Sequence, residues 1–171
     1  MRKIILQVAV SIDGFIEGPN GEIDWCFTDQ DYGMKDFFKQ IDTLFMGRKT
    51  YELMLTMGED ATSGFPKLKQ YVFSTTLNEV QEGIIVGDDL ESEVEKIRNE
   101  QGKDIWLFGG GNLTTSFMNL KLVDEVWLAV HPVILGGGKP LFDNLNERVG
   151  LKHLDTKTYS TGLVFLKYAI A

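Results

Sequence analysis

One stretch constrains this chain more than any other: Asp104–Phe117, DIWLFGGGNLTTSF. Ile105–Phe108 reads as a short buried strand, three glycines follow, and a helix opens at Asn112. Without Cβ atoms such a turn takes positive φ freely and lets a ligand lie against bare backbone. The unpaired N–H groups of the first helical turn then point at that ligand, and the helix dipole favours an anion. A diphosphate is the natural occupant. GGGN is not the GxGxxG fingerprint, however, and no acidic residue stands at the required distance downstream. A plain glycine turn between closely packed helix and sheet is the alternative.

The rest of the chain alternates strands with helices. Ile4–Val10 is nearly continuous apolar sequence, the mark of a central strand covered on both faces. A long glycine-punctuated loop follows, with turns at Ser11–Gly14 and Gly18–Gly21, an extended piece at Phe15–Glu17 and Trp25 at its close. Asp29–Gln40 has helical spacing, with Asp29 or Asp31 as cap. Thr43–Met46 is a second buried strand, passing through Gly47 into a helix over Arg48–Leu55. Arg48 in that first turn runs against the dipole preference, a misfit that an anion between the two would relieve. Gly58–Pro66 is a polar loop, and Gln70–Phe73 a strand ending in Ser74-Thr75-Thr76. Gly83–Val86 is a short strand, and Asp88 or Asp89 caps a helix closed by Gly102. Leu122–Leu135 is strand-like and bends at Pro132; Leu151–Tyr159 and Leu163–Ala169 form a hairpin about Ser160–Gly162. The expected fold is a three-layer α/β domain spanning residues 1–171. Its mixed, mostly parallel sheet has about eight strands, helices on both faces and a C-terminal antiparallel hairpin.

Bulk properties narrow the functions. With 171 residues and 43% hydrophobic content the chain fits one domain with a sizeable core. A net charge of -8 argues against nucleic acid, which is bound through basic patches. It leaves a phosphorylated cofactor open, because a few N–H groups and one or two arginines suffice for that. Cys26 is the only cysteine, flanked by Trp25 and Phe27 as core would be, so no internal disulfide forms. No apolar run approaches membrane-spanning length and the N-terminus reads as a first strand, giving a soluble, cytoplasmic expectation with no metal.

Ligands of open α/β sheets lie at the C-terminal ends of the parallel strands. Three such ends carry phosphate-compatible residues: Gly47-Arg48-Lys49-Thr50, Ser74-Thr75-Thr76 and Gly109-Gly110-Gly111-Asn112. The ordered set VAVSIDGFIE (8–17), FMGRKTYE (45–52), VFST (72–75), WLFGGGNLTTSF (106–117) and LVDEVWLAVHPVILGGGKPLF (122–142) resembles the dihydrofolate-reductase-like fold. Within it, the chain is similar to the reductase domain of the bifunctional riboflavin-biosynthesis deaminase-reductase and its stand-alone relatives. That resemblance implies a homodimeric NADPH-dependent reductase of a small planar C=N or C=O compound, pterin-, pyrimidine- or flavin-precursor-like. Gly47, Arg48 and Thr50 would meet the diphosphate, and Ser74 and Thr75 the ribose and its 2'-phosphate. Gly109, Gly110, Gly111, Asn112 and Leu113 would hold the diphosphate and nicotinamide side, with Ala9 and Ile16 bordering the ring.

Two departures bear on the substrate. The riboflavin-pathway reductases carry a glutamate at about Gly109, and without it that pathway's own reaction is discounted. Trp25 matches the loop tryptophan of dihydrofolate reductases, but Asp29, Asp31 and Asp36 compete for the acid that follows it. Asp29 and Asp31 are the candidate proton donors, with water the alternative, and Trp25 and Tyr51 the candidate stacking residues. Asp13 reads as a turn former, and His131 as the core-facing end of a strand. A nucleotide-binding regulatory module without turnover, or a purely structural α/β domain, are the rival functions.

Overall fold

The computed structural model describes residues 1–58 and 63–171; residues 59–62, within the polar loop expected at Gly58–Pro66, lie outside them. Among the described residues ten strands and four helices follow in chain order. They are β1 (Ile4–Ser11), β2 (Phe15–Glu17), α1 (Met34–Gln40), β3 (Ile41–Gly47), α2 (Arg48–Met57), β4 (Lys69–Phe73) and β5 (Ile84–Val86). Then come α3 (Leu90–Asn99), β6 (Asp104–Gly109), α4 (Gly111–Asn119), β7 (Glu125–His131), β8 (Lys139–Pro140), β9 (Leu151–Thr158) and β10 (Val164–Ile170).

Eight strands form one sheet in the order β5-β4-β3-β6-β1-β7-β10-β9. It is parallel from β5 to β7, and the β9–β10 hairpin adds the antiparallel edge. β1 sits between β6 and β7, as its unbroken apolar run requires of a strand covered twice. β2 and β8 pair with each other outside this sheet.

Alternation along the strands divides the core into two layers. Leu6, Phe45 and Leu107 pack against Val94 and Ile97 of α3 and Leu113, Phe117 and Met118 of α4. Ile5, Leu44 and Trp106 pack on the other face with Phe37 of α1 and Tyr51 of α2. Trp106, Phe45 and Phe117 are the largest fully buried side chains, and burying each contributes about 1.5–3 kcal/mol. At the N-terminal rim every buried arginine has carboxylate partners: Arg2 bonds Asp42, and Arg98 bonds Asp124 at 2.9 and 3.0 Å. Among the described residues no helix is long and apolar enough to cross a membrane.

Several element boundaries differ from the sequence reading, and β8 was not expected as a strand. The helix expected from Asp29 begins at Met34, capped by Gly33 rather than by an aspartate side chain. Tyr32 and Gly33 have φ of 50° and 84°, and Asp31 instead accepts the N–H groups of Gly33 and Lys35, a local turn that competes with helix. The long strand expected over Leu122–Leu135 is confined to Glu125–His131. Pro132 cannot extend the ladder, and Val133 N–H folds back onto the His131 carbonyl. The helix expected at Asn112 starts one residue earlier, at Gly111.

Candidate functional site

The C-terminal ends of β3, β4 and β6 border a cleft of about 460 Å³, with the residue after β5, Gly87, at its far side. That is the position and size expected of a small-molecule site in an open parallel sheet.

Two helix starts form its middle. β3 passes through Gly47 into α2, and β6 through Gly109 and Gly110 into α4. Neither helix has a side-chain cap or an acidic residue in its first turn. The two starts abut: a Cβ on Gly47 would lie 3.8 Å from the Gly109 carbonyl and 4.0 Å from the Gly110 nitrogen. A Cβ on Gly110 would come within 3.4 Å of Thr50 Oγ1, across the gap between the helices. Gly109 has φ of 109°, a conformation that any side chain would strain, and the Gly109–Gly110 peptide is cis. α3 starts at the same rim but caps itself, Asp89 accepting Ser92 N–H at 3.2 Å with Glu91 and Glu93 in its first turn. Uncompensated positive potential is therefore concentrated between α2 and α4.

The charge of the lining points the same way. Arg48, Lys49 and Lys139 line the cleft against one carboxylate, Glu17, in a chain of net charge -8. Arg48 is not the isolated cation that its position implied. Its Nη1 donates to Glu52 Oε1 at 2.9 Å, one helical turn on, so the misfit at α2 is partly relieved within the helix. Lys49 and Lys139 have no ion pair among the described residues, and the Thr50, Thr75 and Asn112 side chains have no hydrogen bond.

Of the residues singled out from sequence, Ile16, Gly47, Arg48, Thr50, Ser74, Thr75, Gly110, Asn112 and Leu113 line the cleft. Ser74 also shapes its own turn, its Oγ accepting the N–H groups of Thr76 and Leu77. Gly109 is buried behind Gly110, and Gly111 packs beneath the Lys139 side chain, whose Cε would lie 2.8 Å from a Cβ there. Ala9 lies on β1 opposite Ala129. Lys49 and Thr76, named with the phosphate-compatible strand ends, line it too, and Leu90, Ser116 and Lys139 line it without having been singled out as ligand contacts. The lysine closing the glycine run LGGGKP was the available signal.

The candidate donors and stacking residues stand elsewhere. Asp29 Oδ1 accepts the Tyr32 hydroxyl at 2.6 Å, and Asp31 accepts the backbone N–H groups at the start of α1. Tyr51 is buried, its hydroxyl accepting Gln81 N–H at 2.7 Å. Trp25 donates to the Glu22 carbonyl and packs T-shaped with His131. None of the four lines the cleft.

Beside the cleft, the β1–β7 end of the sheet is tied shut. Asp13 does more than form a turn: its carboxylate accepts Leu135 and Gly136 N–H groups at 3.1 and 2.8 Å and the Ser11 hydroxyl at 2.7 Å. The Ser11 hydroxyl, with those two amides, holds Asp13 below the usual carboxylate range. His131 closes β7 in the core, donating Nδ1–H to the Ala129 carbonyl at 2.9 Å and accepting Phe27 N–H on Nε2 at 3.1 Å. Burial holds its imidazole below the ordinary value. Cys26 is half-buried, and its desolvation, with Asp24 nearby, pushes the thiol up to about 11, away from nucleophilic use. Phe27 beside it is 36% exposed, so this flank is a loop surface rather than core.

Several known proteins are similar to this chain. An uncharacterised Bacillus subtilis protein, YyaP, is 47% identical over 98% of this chain and 94% of its own length. Among solved structures, a Shewanella sp. PV-4 protein named for riboflavin biosynthesis superposes with a TM-score of 0.88 at 24% identity, covering 99% of both chains. A Thermotoga maritima diaminohydroxyphosphoribosylaminopyrimidine deaminase/5-amino-6-(5-phosphoribosylamino)uracil reductase gives 0.76 at 13% identity, over 99% of this chain and 57% of that one. Enterococcus faecalis dihydrofolate reductase, complexed with NADP(H), gives 0.66 at 14% identity over 98% and 96%. The family model for the RibD C-terminal domain matches residues 2–165: the chain belongs to that family.

Proposed function

We propose that this chain is a single-domain, NADPH-dependent reductase that passes hydride to a small planar C=N or C=O compound, acting as a cytoplasmic homodimer. One observation carries the reading: two uncapped helix N-termini abut at Gly47 and Gly110 inside a cleft with three cations, in an acidic chain. The residues fit the cofactor. First-turn N–H groups of α2 and α4, with Arg48 and Lys49, would hold the diphosphate. Ser74, Thr75 and Thr76 would meet the ribose and its phosphate at the end that α3 closes with its own cap. Ile16 at the other end would border the nicotinamide, with Ala9 beyond it on β1. When bound, the reduced nicotinamide supplies the hydride; the chain supplies position and exclusion of water. Asp29 and Asp31 are engaged away from the cleft, so in this reading water delivers the accompanying proton.

Titrating NADPH and NADH against the tryptophan fluorescence of the wild type and Gly110→Val tests it. The wild type binds NADPH, and Gly110→Val, whose branched side chain fills the gap toward Thr50, loses at least about 100-fold in affinity. Its thermal midpoint stays near that of the wild type. No NADPH binding by the wild type, or unchanged binding by Gly110→Val, overturns the assignment. NADPH consumption over a panel of pterins, flavin precursors and small imines then separates an enzyme from a binding module.

A further inference from the structure

A second hollow lies on the α1–α2 side of the sheet, between α1 and the β9–β10 hairpin, and shares no residue with the cleft between α2 and α4. Strand register builds it. Trp127 of β7 stands opposite Lys167 of β10, and Lys167 opposite Asp155 of β9. Two residues along, the row is Ala129, Phe165 and Lys157. Residues opposite one another share a face of the sheet, so Trp127, Phe165, Lys157 and Lys167 come together as lining. Phe37 of α1 and Tyr159, beside the hairpin turn, line it too. Its volume is about 110 Å³, of the order of the roughly 150 Å³ that encloses one benzene.

Donors and acceptors around this hollow do not match. Its two carboxylates are engaged elsewhere: Asp36 takes Lys39 at 2.7 Å, and Asp155 accepts the Thr156 N–H at 2.9 Å. Lys39 first, and then Lys157 and Lys167 through space, hold Asp36 below the usual carboxylate range. Yet neither Lys157 nor Lys167 has an ion pair or hydrogen bond among the described residues, although Asp155 is the register partner of Lys167. Lys167, half-buried, sets its ammonium 3.9 Å from the centre of the Trp127 ring and 5.9 Å from that of Phe165. Lys157, exposed, lies 5.0 Å from the centre of the Tyr159 ring. The Tyr159 hydroxyl likewise has no hydrogen bond among the described residues. A ring face stabilises a cation but accepts none of its three N–H donors in full. Two cations and a hydroxyl thus border an apolar floor of Trp127 and Phe165, both buried, with no acceptor of the chain turned to them.

We propose that this hollow is a second ligand site, taking a small aromatic carboxylate whose anion lies between Lys157 and Lys167 and whose ring packs against Trp127 and Phe165. The two carboxylate oxygens accept from both ammoniums, which are the charge-assisted bonds that Asp36 and Asp155 do not make. The ring occupies the apolar floor, where a planar body meets the faces and edges of other rings. Inorganic phosphate offers acceptors on every side and nothing for that floor. A neutral amide keeps the planar body but loses the charge. The site is independent of the cofactor reading, because it needs no nucleotide in the cleft.

Calorimetric titration of the full chain, without nucleotide and at fixed ionic strength, with sodium benzoate, benzamide and inorganic phosphate tests the assignment. Wild type binds benzoate with a Kd of about 5 mM or lower, and benzamide and phosphate at least about tenfold more weakly. Lys167→Met keeps an apolar chain over Trp127 while removing the charge, and weakens benzoate at least about tenfold; Lys157→Met does the same. Thermal midpoints of both variants stay near that of the wild type, so the loss is not one of folding. A weaker benzoate Kd in the wild type overturns the site. So does benzamide or phosphate bound as tightly as benzoate, or benzoate affinity unchanged in either lysine variant. Failure to bind NADPH in the separate titration overturns the cofactor reading and leaves this result standing.

Discussion

On the β1–β7 half of the rim, Asp13 takes the N–H groups of Leu135 and Gly136, and His131 takes that of Phe27. On the β3–β6 half, the side chains of Lys49, Thr50, Thr75, Asn112 and Lys139 bond nothing among the described residues. Both halves are built from strand ends and glycine-rich turns, and their compositions are alike. What separates them is whether polar groups are answered inside the chain. Where they are answered, the loops are held in one arrangement. Where they are left facing a cleft, binding a ligand is what satisfies them.

Breaking the held half has the largest expected effect. Gly138 has φ of 130°, and a Cβ there would fall 2.0 Å from the Glu17 carbonyl, so Gly138→Ala must both strain its backbone and push β2 from β8. It should cost about 2–4 kcal/mol in urea denaturation, and an unchanged midpoint would show that this half is not held through that contact. On the open half, Arg48→Ala should raise the Kd for NADPH about tenfold, with little change in melting temperature. Glu52→Gln, which frees the guanidinium from its carboxylate, should lower that Kd about twofold. Equal effects of the two substitutions would mean that Arg48 acts only within its helix.

The smallest effect concerns pH. Burial holds the His131 imidazole below its ordinary value of 6.5, so below that pH the unfolded chain binds a proton that the fold refuses. Stability should be full above that value and fall as pH drops toward the folded pKa, because a protonated Nε2 can no longer accept Phe27 N–H. Its charge would enter a surround containing Trp25, Phe27 and the Ala129 carbonyl, with the Ser11–Asp13 pair at the neighbouring strand end. Thermal melts from pH 7.5 to 5.5 should show the loss, and His131→Gln, which keeps an acceptor but does not titrate, should flatten it.

Much of the fold was legible in the chain. The unbroken apolar runs of β1 and β6 announced central strands, and the strand–glycine–helix joints at Gly47 and Gly109–Gly111 announced where the cleft would open. A capping aspartate was readable as Asp88 or Asp89, and the structure gives the part to Asp89. The Gly136–Pro140 loop was readable as bordering a ligand, but not Lys139 as the cation between two helix starts, because it enters through β8, which pairs with β2 across more than a hundred residues. The start of α1 misled for a local reason: Asp29 and Asp31 offered caps, but the apolar spacing begins only at Met34, and Tyr32 and Gly33 before it have positive φ.

Sequence by itself settled the alternation of main-sheet strands with helices, which joints are bare of side chains, and that the acidic chain has cations at those joints, since each follows from local residue type and spacing. Tertiary structure alone decided which polar groups meet. Arg48 has Glu52, and Asp13 has Leu135 and Gly136. Hydrogen-bond partners are fixed by the crossing of strands distant in sequence, and a one-dimensional pattern contains no distances across the sheet.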